Sequence, residues 1–442
     1  AELMTSFYDS SFELYLLRIT DIFRKRTAKK CMVLALGWVL QTGAKTTAGL
    51  IRGAGSLATK SFSAYYKFFR TTSWEPEDFW KAILNEVLDR IDDASIMVGI
   101  DDTLWQKVGR KIEGCGWYPS KKSLYHRSLT YVFGQCWVCL SVKIPVKWAP
   151  GASIHVPVMG KIYKPKDECE EGEFKTRLEL VNEMLWRVSE IAGDRQIIAV
   201  ADSYYGGETL LGDLPENVEV LVRLKRDSQL YEIPERGPNP GPGRPRKKGD
   251  PLKQPKEWIE EPEGWETREV QRYGKTETVW IQTKKALWYH VTKEKPGRVV
   301  IIKEADGSWL ALYCTDPDLQ PETMIEYYAQ RWKIEVVFRE AKQVGGAEDP
   351  QCRSQKAIRR QTPFNLGLMT LVKLWFVDNY DEVKSMIQRD DWEEENSVPS
   401  FRIMLQVLRW RIRKKQFSQK WGQTPTLPKK INNLFNQWIR AA

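Results

Sequence analysis

The chain has 442 residues, 42% of them hydrophobic and 29% charged, with a formal net charge of +10 at pH 7. That length predicts several domains, the composition excludes a disordered or fibrous chain, and the positive balance favours a polyanionic partner without specifying one. Seven scattered cysteines exclude a disulfide framework and point to a reducing compartment.

Residues 1–94 read as helices. Cys31 to Gln41 is an apolar helix ending at Gly43, Thr46 or Thr47 caps the next, and Thr59 or Ser61 starts a third carrying Tyr65, Tyr66, Phe68 and Phe69. The apolar run Cys31 to Leu40 is about half the length of a bilayer span, so a cytoplasmic, nucleoid-associated protein with no membrane segment is expected. With Lys45, Arg52, Lys60, Lys67 and Arg70 facing outward, the region is expected to be a helical DNA-binding domain, the alternative being a plain bundle with a basic solvated face.

From Ser95 the pattern changes to strands. Ile96 to Ile100 is the first, and Ser128 to Phe133 and Trp137 to Ile144 form an antiparallel pair around Gly134. An amphipathic helix from about Glu173 to Ala192 follows, then the strand Gln196 to Asp202, a short helix after Gly206-Gly207, and a fifth strand, Val218 to Leu224. Three strands, helix, strand, helix, strand is the order of a ribonuclease H-like α/β core, assigned to residues 95–224, in which the first and fourth strands lie side by side. Cys136 and Cys139 have the spacing of half a zinc site, but no second pair follows, and they lie in an apolar run that reads as strand.

Residues 225–315 interrupt this core. Arg236 to Lys256 is rich in Pro, Gly and basic residues and reads as a mobile linker. Thr267 to Thr283, Ala286 to Thr292, Arg298 to Lys303 and Trp309 to Cys314 alternate like antiparallel strands, so an inserted β-rich subdomain is expected. The core resumes at 316–389 with the helical segment YYAQRWKIEVVFREAK, which stops at Gly345-Gly346. Residues 390–442 hold an acidic break and then a basic helical tail with Arg409, Arg411, Arg413, Lys414 and Lys415.

Three acidic positions stand out. Tyr328, Arg331, Glu335 and Lys342 fall within roughly 60° of one another on a helical wheel, beside an apolar face of Ile334, Val337, Phe338 and Ala341. Glu335 is thus carried on a packed helix between two cations. Metal-assisted phosphate chemistry needs further carboxylates. The strand Ile96 to Ile100 ends in Asp101-Asp102-Thr103, and Ile197 to Ala201 ends in Asp202, both at strand C-termini, where open α/β sheets place their sites. Strand alternation turns only one of Asp101 and Asp102 into such a site.

The Tyr-x2-Arg-x3-Glu-x6-Lys stripe resembles the signature of the DDE transposases of bacterial insertion sequences, in the branch with a β insertion before the catalytic glutamate. IDDT, ADSYYG, RLKRDSQLY followed by GRPRKKG, and RWKIEVVFREAKQVGG resemble that branch in the same order, over most of residues 31–376. Gln135 departs from the pattern, standing where His is expected. The resemblance implies Asp101, Asp202 and Glu335 as a triad binding two Mg²⁺ or Mn²⁺ ions, with Asp101 preferred over Asp102 because related enzymes read Asp-x-Thr there. It implies that Tyr328, Arg331 and Lys342 contact the DNA backbone near the cut. The basic strand Gly243 to Lys248, with Arg244 and Arg246, resembles a minor-groove hook, the alternative being a solvated linker. Trp280, Trp288 and Trp309 are candidates either for stacking on a flipped base or for the core of the β layer.

The function expected is metal-dependent hydrolysis at transposon ends followed by joining of the 3′-OH ends to target DNA, by a homodimer on double-stranded DNA. A nuclease of the same fold without integration and a captured DNA-binding protein with lost catalysis are the rival readings.

Overall fold

Among the described residues five α-helices precede the first strand: α1 (Ser10–Thr20), α2 (Lys25–Leu40), α3 (Thr47–Ala54), α4 (Phe62–Arg70) and α5 (Pro76–Leu88). The computed structural model describes residues 10–119, 131–234, 246–272, 274–387 and 397–421. Thr46 caps α3 by accepting from the Gly49 amide, as its sequence position predicts. A Cβ on Gly37 would meet the Leu50 carbonyl oxygen at 1.9 Å, so only glycine there lets α2 and α3 cross in backbone contact.

Lys45, expected to face outward, is buried instead, and its Nζ donates to the Trp38 and Gln41 carbonyls at the end of α2. Two arginines of the last described helix, Phe401–Trp421, serve the same helix end. Arg409 donates to Val39 and Gln41, and Arg413 to Leu40. These are the carbonyls that a helix C-terminus leaves without partners, and cations suit the negative end of its dipole. Arg52, Lys60, Lys67 and Arg70 are exposed. The apolar residues of α1 to α5 share one continuous core with the first strands and with the helix Gln355–Asp378, whose Phe364 lies 5.8 Å from Phe68.

The strands are β1 (Ser95–Gln106), β2 (Cys115–Pro119), β3 (Tyr131–Pro145), β4 (Ser153–Tyr163), β5 (Gln196–Ala201) and β6 (Val218–Arg223), with helix α6 (Arg177–Ala192) between β4 and β5. β1 pairs antiparallel with β3 and parallel with β5, β3 pairs with β4, and β5 pairs parallel with β6. This mixed sheet is consistent with a ribonuclease H-like fold, and the first strand lies beside the strand that ends at Asp202, as expected.

Two expectations fail locally. Gly134 is not a hairpin turn. It lies inside the single strand β3, where a Cβ would stand 2.3 Å from the Trp105 carbonyl oxygen of β1. The true partner of β3 on its other side, β4, has the sequence SIHVPVMGKIY, whose buried run does not alternate.

The interrupting strands β7 (Glu266–Arg272), β8 (Lys275–Leu287), β9 (Pro296–Lys303) and β10 (Trp309–Cys314) form no sheet of their own. β10 pairs with β6, extending the core into one ten-stranded sheet ordered β2-β3-β1-β5-β6-β10-β9-β8-β7, with β4 on β3. Nor is all of Arg236 to Lys256 a free linker. Residues 249–252 hydrogen-bond back onto 230–232, and Leu252 packs on the core. No helix among the described residues is long and apolar enough to cross a membrane.

Candidate functional site

The parallel register pairs Met97 with Ile198 and Gly99 with Val200, so Asp101 and Asp202 both stand two residues beyond its last pair. Met97, Ile198 and Val200 share one small apolar cluster with Met324 and Ile325. Asp101 and Asp202 therefore continue the sheet face covered by helix α7 (Pro321–Gln330). Asp202 is extended, and its Oδ1 accepts from the Tyr204 amide at 2.9 Å, an Asx turn that starts the loop to Gly207. That loop is pressed from both sides: a Cβ on Gly206 would meet Trp288 at 2.9 Å, and one on Gly207 would meet Leu178 at 2.8 Å. Trp288 is thus a buried brace for the Asp202 loop, Trp309 is half-buried and Trp280 is 38% exposed.

Glu335 comes from the next helix, α8 (Trp332–Gln343). Its buried residues are Ile334, Val337, Phe338 and Ala341, the face predicted from sequence. Ile334 lies over Gly99, where a Cβ would stand 3.7 Å from its own, so α8 rides close to β1. The single helix expected from Tyr328 to Lys342 is broken at Arg331. Tyr328 belongs to α7, Glu335 and Lys342 to α8, and the junction is tightened by i→i+3 bonds from the Arg331 amide to Tyr328 and from the Ile334 amide to Arg331. Lys342, half-buried, lies two turns beyond Glu335 on the same face of α8.

Arg331 is the centre of this arrangement. One guanidinium nitrogen is 3.4 Å from Asp101 Oδ2 and the other 3.3 Å from Glu335 Oε1, with the side chain 15% exposed. Burial disfavours its charge, but Tyr328, Asp101, Glu335 and Asp202 outweigh burial and raise its pKa. The ring of Tyr328 lies beneath the guanidinium at 5.7 Å. Burial also raises the Tyr328 pKa, with Asp202 adding to it and Arg331 and Arg223 opposing, so the phenol keeps its proton as a hydrogen-bond donor.

Asp102 faces the other way. It accepts from the Tyr205 hydroxyl at 3.1 Å, pairs with Arg177 of α6 at 3.3 Å, and lies 3.6 Å from the Cys136 thiol. Arg177 is held between the rings of Tyr163 and Tyr204. Asp102 thereby ties β1 to α6 and, through Tyr205, to the Asp202 loop.

A divalent ion of the Mg²⁺ or Ca²⁺ type takes six or more oxygens at about 2.0 to 2.6 Å. Among the described residues no three Asp, Glu, His or Cys side chains stand close enough together to hold one. As folded here, the carboxylates do not fit a metal ion, because a guanidinium lies between two of them.

The family described as DDE superfamily endonuclease matches residues 18–292, well over half of the 442. The chain belongs to the DDE endonuclease superfamily. The matched part of this DDE endonuclease holds Asp101 and Asp202 and ends before Glu335. A piggyBac transposase, solved by cryo-EM as a synaptic complex with hairpin DNA, resembles it over 97% of this chain and 82% of that one, at 12% identity and a TM-score of 0.42. That likeness is too weak to extend the piggyBac protein's activity to this chain. None of the curated proteins matches the sequence.

Of the expected DNA contacts, Arg244 lies outside the described residues. Arg246 is exposed, Lys247 pairs with Glu294 at 2.6 Å, and Lys248 sits 3.9 Å over the Tyr231 ring. Gln135 is buried in β3 and donates to the Glu113 carbonyl. Sequence reasoning missed Arg223, an exposed cation ending β6 whose field reaches Tyr328, and the Arg177–Asp102–Tyr205 link. The strand-end position of Arg223, like that of Asp202, was the available signal; Arg177 carried none.

Proposed function

We propose that this DDE endonuclease is a DNA transposase of the insertion-sequence type, which cuts element ends and joins the 3′-OH ends to target DNA. The observation that carries the reading is that Arg331 spans Asp101 of β1 and Glu335 of α8, while Asp202 follows the end of β5, the parallel neighbour of β1. In this reading the three carboxylates form the reacting centre, with Asp101 rather than Asp102 because Asp102 is engaged on the opposite face. Tyr328, Arg331 and Lys342 line the approach and contact phosphates of the duplex, Tyr328 as a neutral donor. Asp101, Asp202 and Glu335 would hold Mg²⁺ or Mn²⁺ only after Arg331 leaves the space between two of them, and such ions would supply charge neutralisation at phosphorus. A homodimer on DNA is proposed because each of two ends needs a reacting centre.

The deciding experiment incubates the protein with labelled duplex ends and a supercoiled target in Mg²⁺. Covalent joining of labelled 3′ ends to the target supports a transposase. Cleavage without joining supports a nuclease of the same fold, and binding without cleavage a protein that keeps only the DNA surface.

The basic strand carries a separate expectation. If Arg244 and Arg246 both meet the duplex, replacing both by Ala lowers the slope of log K against log salt by roughly one or two units. An unchanged slope, measured by fluorescence anisotropy across a salt series, returns the segment to the role of a solvated connection.

A further inference from the structure

We propose that Arg331 is a built-in counter-cation that keeps Asp101 and Glu335 from taking up a divalent ion until a DNA phosphate draws the guanidinium away. The proposal rests on the catalytic reading above and concerns the regulation of that site.

Three observations carry it. First, Arg331 bridges: its two terminal nitrogens go to different carboxylates, one on β1 and one on α8, so the guanidinium fills the gap between them. Secondly, the bridge is loose. At 3.3 and 3.4 Å both contacts exceed the roughly 2.7 to 2.9 Å of a good charge-assisted bond. The protein makes a tight arginine elsewhere: Arg272, joining β7 to its neighbours, holds Glu304 through two bonds of 2.7 Å and Glu277 through a third of 2.7 Å. A purely structural Arg331 would be expected to resemble Arg272. Thirdly, Arg331 stands at the junction between α7 and α8, where i→i+3 bonds replace the regular ladder and neither helix includes it.

The physics is a competition. With Arg331 in place, the negative charge of Asp101 and Glu335 is partly neutralised and the space between them filled. An incoming cation must displace the guanidinium, so its apparent affinity is reduced by the fraction of molecules in which Arg331 is already withdrawn. A phosphate offers that planar guanidinium a two-point partner through two of its oxygens. DNA that engages Arg331 therefore uncovers the carboxylates, which confines the ion-loaded state to the DNA complex.

The test is a Mn²⁺ titration of the full-length protein without DNA, read by the electron paramagnetic resonance signal of free Mn²⁺. Arg331→Gln keeps a polar side chain and removes the charge. It is expected to bind Mn²⁺ at least about tenfold more tightly than the unaltered protein, a difference of about 1.4 kcal/mol. Arg223→Gln removes an exposed cation from the same neighbourhood without opening the gap, and is expected to change the affinity less than about twofold. The proposal is overturned if Arg331→Gln binds no more tightly, or if Arg223→Gln tightens binding equally. Should Arg331→Gln fail to fold, Arg331→Lys serves, since a single ammonium cannot span both carboxylates; it should tighten binding severalfold, and no change overturns the idea. Failure of the catalytic reading would appear separately, as undiminished cleavage by Glu335→Gln.

Discussion

Glu335→Gln and Asp101→Asn are each expected to reduce DNA cleavage by roughly a thousandfold or more while leaving duplex binding nearly unchanged. Both substitutions keep the size of the side chain and remove its charge, so packing of the Ile334, Val337, Phe338 and Ala341 face and the β1 register is preserved. Asp202→Asn behaves alike, since Asn still accepts from the Tyr204 amide through its carbonyl oxygen. The informative contrast is the neighbour. Asp102→Asn keeps an acceptor for Tyr205 and weakens only the pair with Arg177, costing roughly 1 kcal/mol of stability and leaving most of the cleavage. A gel assay on supercoiled plasmid, run beside a binding assay, distinguishes the two positions. Full loss at position 102 with retention at 101 would reverse the assignment.

Gly134→Ala is expected to destabilise the protein by about 2 to 3 kcal/mol. The added Cβ would stand 2.3 Å from the Trp105 carbonyl oxygen, 3.0 Å from its carbon and 3.2 Å from the Gln106 Cα. All three are backbone atoms of the neighbouring strand, so no rotamer change relieves the clash and β1 must move away from β3. Because Asp101 lies on the same strand, cleavage falls along with stability. Gly43→Ala is the control: its nearest neighbour would be the end of the flexible Gln41 side chain at 3.4 Å, and less than about 0.5 kcal/mol is expected. Urea unfolding of both variants measures the difference, and equal midpoints would refute the argument.

Gly134 also shows where sequence reading reaches its limit. Periodicity and composition locate β1, β5, β6 and the amphipathic α6, because each buries a recognisable pattern. Asp202 follows the end of β5 as its apolar run suggests, whereas Asp101, expected where the first strand stops, lies inside β1, which runs on to Gln106 in its pairing with β3. A glycine between two apolar runs reads equally well as a turn or as a place where another strand passes too close for a Cβ, and only the neighbour decides. The outward set of basic residues failed at Lys45 for a related reason, since the helix end it serves is folded against it by the intervening turn. The break at Arg331 was hidden because both sides of it are good helix sequence. Asp102 could be separated from Asp101 by alternation alone, but its partners Arg177 and Tyr205 are 75 and 103 positions away and left no trace in spacing.

Several cations of this chain are turned inward. Lys45, Arg409 and Arg413 close the end of α2, Arg195 holds the Leu88, Ile91 and Asp93 carbonyls, and Lys107 holds those of Ala347, Glu348 and Pro350, with burial lowering its pKa to about 8. These charges act as internal mortar and are out of reach of a polyelectrolyte. Retention on a heparin column should therefore be weaker than the formal charge of +10 suggests, and set by whichever arginines and lysines stand outside the fold.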